Sequence, residues 1–331
     1  MQTETIDEPS TRDSSPNPYV FIVGCPRSGT TLLQRIVDSH PQIAIMRRET
    51  DWIPGYFKQR IGLTPEGLVT PELISQLLEY RTSPKLGIDR QQLEKLLGSG
   101  EPVSYARFVS GIFDVYGKAQ GKTLAGDKSP GYCREIHLLH GLWPKAKFVH
   151  LIRDGRDVCL SANNWAKAAK LANVFATWSE DPITTAALWW TWHVRAAREK
   201  SQTLEPNLYY ELRYESLVSH PADECARLCG FLGLPYDEAM LRFHEGHTRT
   251  KPGLDAKHAW LPITPGIRDW RSELPAKDLE RFEAAAGELL DDLGYPRGVQ
   301  QPRTETLTHV ARIRDAFLKD RHLQQAALSD Q

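Results

Sequence analysis

Residues 19–31, YVFIVGCPRSGTT, carry a short unbroken apolar run into a glycine, and a second glycine follows five positions later at the head of an amphipathic segment. An apolar run of this length suits a strand buried on both faces, as in a parallel sheet. Leu32, Leu33, Ile36 and Val37 then share one face of a helix that begins at Thr30 or Thr31 and ends by Ser39-His40-Pro41. Strand, tight loop and helix in this order put a helix N-terminus, with its unsatisfied amides, at a strand's carboxyl end.

The pattern recurs along the chain. Lys147–Ile152 (KFVHLI) reads as a second buried strand, and RDGRD turns it into a helix over about 157–170. Thr123–Ala125 reads as a short strand before GDKSP, and Leu208, Tyr210, Leu212 and Tyr214 alternate before ESLVSHP opens another helix. Strands alternating with helices predict an α/β fold of three layers, P-loop-like, with a central parallel sheet and helices on both faces. Residues 60–118 show helical periodicity, as in LISQLLEY and LEKLLG. Asp181-Pro182 supplies an N-cap and first residue for a Trp-rich helix reaching about 200, and Leu279, Phe282, Ala286, Leu289, Leu290 and Leu293 form a late stripe that Gly294 stops.

The polar, Ser/Pro/Asp-rich residues 1–18 predict a disordered segment, residues 19–298 one domain, and 299–331 a partly helical tail. The tail's Leu307, Val310, Ile313 and Phe317 would either dock on the body or pair with a second copy to make a homodimer. Lys+Arg 41 against Asp+Glu 42 leaves a net charge of −1, so no overall field draws the chain to nucleic acid, and an anion site must be local. Five cysteines form no C-x-x-C pair, and the odd count fits reduced thiols. Cys225 and Cys229, four apart, would supply half a metal site at most and read better as small buried residues. The N-terminus lacks the basic and then apolar pattern of a signal peptide, and no run approaches the length of a membrane span. These features predict a cytoplasmic protein.

Ligands of open α/β sheets sit beyond the carboxyl ends of the strands. CPRSGTT, DKSP, RDGRD and Tyr214 all fall at such places. Gly24 and Gly29 permit a tight loop, and the amides of Ser28, Gly29, Thr30 and Thr31 point toward the positive end of the helix, a cradle for phosphate. A Walker A loop would need lysine after the second glycine. Here Thr30 follows Gly29, and the loop's cation is Arg27, whose planar fork suits several oxygens of a bridging anion. Arg153 directly follows its strand and Ser161 lies eight residues on, so both can face a second anion. The sequence thus provides for two phosphate pockets.

FIVGCPRSGTTLL followed by FVHLIRDGRDVCLSAN resembles the two signatures of sulfotransferases that use 3′-phosphoadenosine 5′-phosphosulfate (PAPS): a 5′-phosphosulfate loop and a 3′-phosphate-binding strand–turn–helix. The chain is most similar to the tyrosylprotein sulfotransferase branch and its bacterial relatives. PRSGTTLL, D-x-HP and MRRETDWIP resemble that branch's PRSGTTLM, D-x-HP and EET-x-x-IP, with one extra residue between His40 and Glu49. The resemblance implies that Glu49 is the catalytic base, Lys128 of GDKSP the active-site lysine, Arg27 the cation beside the bridging oxygen, and Tyr214 of YESLVSHP a neighbour of the adenine. Gly266–Arg271 resembles a segment that gives the cofactor another cation. Arg268 is the choice for that role, with Arg271 and Lys257 as rivals.

The implied reaction moves a sulfuryl group from PAPS to an acceptor hydroxyl or amine, with no metal. A base is useful because the acceptor loses its proton as it attacks, and Asp51 is the rival to Glu49. His150, within a strand, and His193, among Trp189, Trp190 and Trp192, read as satisfied core or lining residues, as does His137. The Trp-rich helix would either wall an apolar acceptor pocket or pack in the core. Two other readings stand beside this one. A P-loop kinase using ATP and Mg²⁺ would share the fold, with Asp127 holding the metal, and a non-catalytic nucleotide-binding module would keep the loops without the chemistry. The acceptor's class (small molecule, lipid, sugar or protein) is not written in these motifs.

Overall fold

The computed structural model describes residues 18–80, 87–98, 100–163, 172–245 and 261–329, with side chains as far as 321. Five parallel strands, β1 (Val20–Gly24), β2 (Ile43–Ile45), β3 (Leu124–Lys128), β4 (Lys147–Ile152) and β5 (Tyr209–Arg213), form one sheet in the order β2-β3-β1-β4-β5. β1 lies at the centre, its Val20 opposite Gly126 on one side and Lys147 on the other.

The pleat sends successive side chains to opposite faces, and β1 shows both faces covered. Tyr19, Phe21 and Val23 join Phe108, Phe113, Trp143 and Phe148 in one cluster. Val20 and Ile22 join Leu33, Ile36, Val149, Leu151 and Leu228 in another. Helices α1 (Thr30–Asp38), α10 (Tyr214–Ser219) and α11 (Pro221–Leu232) back the second face, and α5 (Tyr105–Lys118) and α6 (Ile136–Leu142) the first. This is the three-layer α/β arrangement that the alternating pattern predicts. Before α5 lie α2 (Trp52–Lys58), α3 (Pro71–Glu79) and α4 (Arg90–Leu97).

A third cluster gathers behind α7 (Gly155–Asn163), where α9 (Pro182–Ser201), α13 (Ala276–Asp292) and α14 (Thr304–Ser329) meet, after the short α8 (Thr177–Glu180) and α12 (Trp270–Glu273). Asp181 caps α9 by accepting from the amides of Ile183 and Thr184, each at 3.1 Å. Trp189 and Trp190 pack in this core rather than around an open pocket. The tail helix docks on its own body through Val310, Ile313 and Phe317. Leu307 leaves that stripe and is 47% exposed, because six residues of helical turn carry it about 120° from Ile313.

Two strands differ from the sequence expectation. β2, three residues long, carries too few positions for periodicity to reveal it. β3 starts at Leu124 and runs through Lys128, so Gly126 and Asp127 belong to the strand rather than to the loop after it. Gly and Asp are poor strand formers, but a Cβ at Gly126 would stand 2.0 Å from the Val20 carbonyl oxygen, so close pairing with β1 requires glycine. The helix after β4 starts at Gly155 rather than 157, and its expected end near 170 lies outside the described residues, as do the disorder expected before Pro18 and the cation candidate Lys257. Among the described residues, no helix is long and apolar enough to cross a membrane.

Candidate active site

The loop between β1 and α1 is set by its glycines. A Cβ at Gly24 would lie 2.6 Å from the Leu151 carbonyl oxygen, and one at Gly29, whose φ is +97°, 2.6 Å from two ring carbons of Tyr214. The amides of Leu32 and Leu33 both reach the Gly29 carbonyl, at 2.9 and 3.1 Å, while those of Thr30 and Thr31, in the helix's first turn, have no intrahelical acceptor. Ser28 and Thr30 are buried, and the Ser28 hydroxyl has no hydrogen-bond partner among the described residues. Arg27 adopts φ +75°, a left-handed conformation uncommon for a non-glycine residue. Its Nε donates to the Ser161 hydroxyl at 3.1 Å, which ties the first loop to α7.

RDGRD separates into residues that face the site and residues that hold it. Arg153 is 7% exposed, donates to Asp157 Oδ2 at 3.2 Å and stacks 4.3 Å from the Tyr214 ring centre. Its Nε, also buried, has no partner among the described residues. Burial holds the Asp157 carboxyl above its ordinary range despite the Arg153 charge. Arg156 is fully buried. It pairs with both oxygens of Asp154 at 2.9 and 2.7 Å, with Glu283 at 2.6 Å and with the Pro296 carbonyl at 2.8 Å, and lies 3.6 Å from the Trp270 ring centre. Gly155 is needed because Trp190 closes over it: a Cβ there would meet the indole at 2.4 Å. The same indole donates to the Arg153 carbonyl at 3.1 Å.

At the end of β3, Lys128 donates to Glu49 at 2.6 Å; the lysine side chain is 6% exposed and the glutamate 39%. Asp127 points the other way and is fully buried. Its Oδ2 accepts from the hydroxyls of Thr50 at 2.7 Å and Ser129 at 2.8 Å, and burial pushes its carboxyl up to about 7. Asp51, the rival base, stands exposed at the N-cap of α2. Burial likewise pushes His150 and His193 down to about 3, so both are neutral core groups at ordinary pH. His150 bonds the Tyr209 hydroxyl at 2.6 Å and His193 the Trp189 carbonyl at 2.8 Å. His137 contacts the Thr203 hydroxyl at 3.1 Å at the surface.

Lys128, Arg27, Arg153 and Tyr214 therefore stand at the ends of four neighbouring strands, β3, β1, β4 and β5, with one rearrangement of partners. Arg153 and Ser161 fall at the first and ninth positions of a stretch that keeps them near one face, but Ser161 contacts Arg27 and Arg153 contacts Asp157. Arg268 lies 3.8 Å from Glu273, beside Trp270, whose amide donates to Asp157 at 3.0 Å; Arg271 stacks on Trp270 at 4.5 Å and pairs with Asp269 at 3.6 Å. Sequence reasoning missed the supporting roles of Arg156, Asp154 and Thr50. Arg156 carried a signal inside RDGRD, but nothing local separates a buried arginine from one facing a ligand. The donor set fits a ligand with two anionic ends: unpartnered buried donors stand at Ser28 and at Arg153, and α1 opens beside them. Among the described residues, no cluster of His, Cys, Asp and Glu has the makeup of a metal site.

The chain resembles known proteins in sequence and fold. The model of the sulfotransferase family covers residues 18–238. Protein-tyrosine sulfotransferase 1 of Danio rerio is 24% identical over 303 residues, covering 86% of this chain and 74% of the relative. Nodulation protein NoeE of Sinorhizobium fredii is 24% identical over 318 residues, covering 88% and 70%. Among solved structures, the sulfotransferase domain of the Synechococcus PCC 7002 olefin synthase is 25% identical, with a TM-score of 0.61 over 87% of this chain and 98% of that one.

Proposed function

The chain belongs to the sulfotransferase family and is a PAPS-dependent sulfotransferase; from that premise we propose that Glu49 is its general base and that Arg27 and Lys128 stabilise the departing bisphosphate. The observation that carries this reading is the 2.6 Å contact between Glu49 and Lys128, at the end of the strand that pairs with β1 and its anion-binding loop. Lys128 fixes the direction of the Glu49 carboxylate through that contact. Glu49 takes the proton of the acceptor hydroxyl or amine as the acceptor atom bonds to sulfur. The bond from sulfur to the bridging oxygen breaks, and its electron pair leaves on adenosine 3′,5′-bisphosphate. Arg27 and Lys128 meet that charge from positions fixed beforehand.

Ser28, Gly29, Thr30 and Thr31 serve the 5′ end of the donor, and Arg153 and Ser161 its 3′-phosphate. The 3.1 Å contact of Ser161 with Arg27 supports a role for that hydroxyl beside the first loop as well. Tyr214, held against Gly29 and under Arg153, offers a flat face to the adenine. Arg268 would add a cation from the edge. One relative's name specifies protein tyrosine, so a tyrosine hydroxyl is the first acceptor to try. Five buried, free thiols suit a reducing compartment and support a cytoplasmic location, which fractionation of cells expressing the tagged protein tests.

The decisive experiment incubates the protein with ³⁵S-labelled PAPS and a panel comprising a tyrosine peptide, an oligosaccharide, a lipid extract and simple phenols, in excess EDTA. A parallel tube holds γ-³²P-ATP with Mg²⁺. Sulfuryl transfer in EDTA is expected, because the group in flight carries less charge than the phosphoryl group for which P-loop enzymes recruit Mg²⁺. Transfer only in the second tube would sink the reading and return Asp127 to the role of metal holder.

A further inference from the structure

We propose that Asp127, with Thr50 and Ser129, is a buried latch that positions Glu49 against Lys128, so that the geometry of the transfer centre is set from behind the strand rather than within the pocket. The inference rests on the reading of Glu49 as base given above.

The argument starts from the alternation of a strand. Lys128 is the last residue of β3, and neighbouring side chains leave an extended backbone in opposite directions. Asp127 therefore points inward where Lys128 points to the site. Ser129, also extended at φ −130° and ψ 109°, points inward again beside Asp127. The facing segment repeats the arrangement: Glu49 reaches Lys128, and the next residue, Thr50, reaches Asp127.

Two rungs thus join the segments. The outer rung is the ion pair, whose glutamate is 39% exposed. The inner rung is dry, with Thr50, Asp127 and Ser129 each fully buried. In the inner rung the hydroxyls of Thr50 and Ser129 donate to one carboxylate oxygen at 2.7 and 2.8 Å, and the Thr50 amide donates to the Ser129 hydroxyl at 3.2 Å. The Tyr132 hydroxyl donates to the Thr50 carbonyl, so both backbone polar groups of Thr50 are held from the far side of the loop. Thr50 is fixed through its hydroxyl, amide and carbonyl, whereas the Glu49 side chain is met by Lys128 at the open side of the ladder. A one-residue slip would set Thr50 against Lys128 and put Glu49 into the core, which burial of an unpaired carboxylate forbids.

The buried carboxylate is costly to keep, and its second oxygen, Oδ1, has no partner among the described residues. Core packing alone would favour an apolar residue here. A latch needs the acceptor, because it must capture two hydroxyls at one point, and Asp127 can also feel the charges of Asp51 and Lys128. Asp127 does not touch the reacting atoms in this scheme. It is a positioning residue.

The test compares Thr50→Val, which keeps shape and removes the hydroxyl, with Thr50→Ser, which keeps the hydroxyl. Turnover is measured with the acceptor labelled in the panel, and the affinity for adenosine 3′,5′-bisphosphate by calorimetry. Thr50→Val should lower kcat by about 10²-fold, the effect of misplacing a catalytic group by about 1 Å, with bisphosphate affinity unchanged, and Thr50→Ser should restore most of it. In the Glu49→Gln background, Thr50→Val should cost nothing more. Crystal structures of both Thr50 variants with the bisphosphate bound should show Glu49 and Lys128 drawn apart in the valine protein and still paired in the serine protein, a readout independent of any acceptor. An intact pair in the valine protein, or a fall in kcat matched by an equal fall in bisphosphate affinity, would overturn the latch. If Glu49→Gln alone keeps wild-type turnover, the base assignment fails, while the crystal structures still decide whether Thr50 sets the Glu49–Lys128 geometry.

Discussion

The two ends of the site are built to opposite rules. At the anchoring end, Arg156 is fully buried between Asp154 and Glu283, with Trp270 over its guanidinium. Glu283 also accepts from Arg297 at 3.3 Å and from the amides of Gly298 and Val299 at 2.9 and 2.8 Å, so every charge there is surrounded by partners. Glu215 extends the network, accepting from the Asp154 amide at 2.8 Å and from the Tyr295 hydroxyl at 3.0 Å. At the other end, Glu49 is partly open to water and Arg27 donates to Ser161 of α7. The difference suits the roles proposed for the two ends. A group that holds a donor gains from fixed, desolvated partners, whereas a base must exchange a proton with a substrate that arrives and leaves.

Breaking the anchoring end should have the largest effect. Arg156→Ala leaves Asp154 buried without its cation and takes from Glu283 the shorter of its two ion pairs, which costs on the order of 3–5 kcal/mol, read as a fall in the unfolding midpoint in denaturant. A change under about 1 kcal/mol, the range of surface ion pairs, would mean that the contrast is not real. Glu49→Gln tests the other end: turnover falls by about 10²–10⁴-fold, the range for general-base catalysis, while the affinity for the bisphosphate and the unfolding midpoint stay near wild type. If Asp51→Asn has that effect instead, the base lies at the N-cap of α2 and not at Glu49.

Arg153→Ala sharpens the comparison, because Arg153 belongs to the anchoring loop yet is proposed to meet the 3′-phosphate. Losing one partner of a desolvated charge pair costs on the order of 2–5 kcal/mol, so affinity for adenosine 3′,5′-bisphosphate should fall roughly 30- to several-thousand-fold. Affinity for AMP should barely move, and equal losses for both nucleotides would remove the 3′-phosphate pocket from the picture.

A final, pH-dependent comparison concerns Asp127. Burial raises its pKa to about 7, from an ordinary value near 3.8. The folded protein then keeps a proton that the unfolded chain has released, so this group's contribution to stability is complete below about pH 4 and is lost as pH rises through about 7. The loss amounts to at most about 1.4 kcal/mol per pH unit. Asp127→Asn should flatten the fall in stability between about pH 5 and pH 7 relative to wild type; parallel curves would mean that the carboxyl is not raised. Taking the difference between the two proteins cancels the titrations they share, and Lys128, Asp51 and Tyr132 are the groups whose coupling to Asp127 it retains.

The architecture was legible wherever a segment is long enough to show a period or carries a capping signal. KFVHLI is β4 residue for residue, and Asp181-Pro182 opens α9 as its capping chemistry requires. The loop GCPRSGTT declared itself because two glycines, a cation and a helix start are all local features. β2 escaped because three residues define no period, and β3 was cut short because the need for Gly126 comes from β1, about a hundred residues earlier.

What the sequence determined by itself is the set of local commitments: strand, loop and helix order, a helix N-terminus set beyond the carboxyl end of β1, and the residue types gathered at the strand ends. Only the tertiary structure decided partnership. Arg153 and Arg156 sit three residues apart in one motif, yet one faces the site and the other is locked onto Glu283, a residue 127 positions away. Asp127 and Lys128 are adjacent, and one is a buried acceptor while the other pairs with the partly exposed Glu49. Hydrogen-bond geometry and desolvation depend on which surfaces meet in space, and chain-distant residues supply those surfaces. Local propensity fixes where a charge lies on its element, and the packing of the other layers fixes whether that charge meets a ligand or a buried counter-charge.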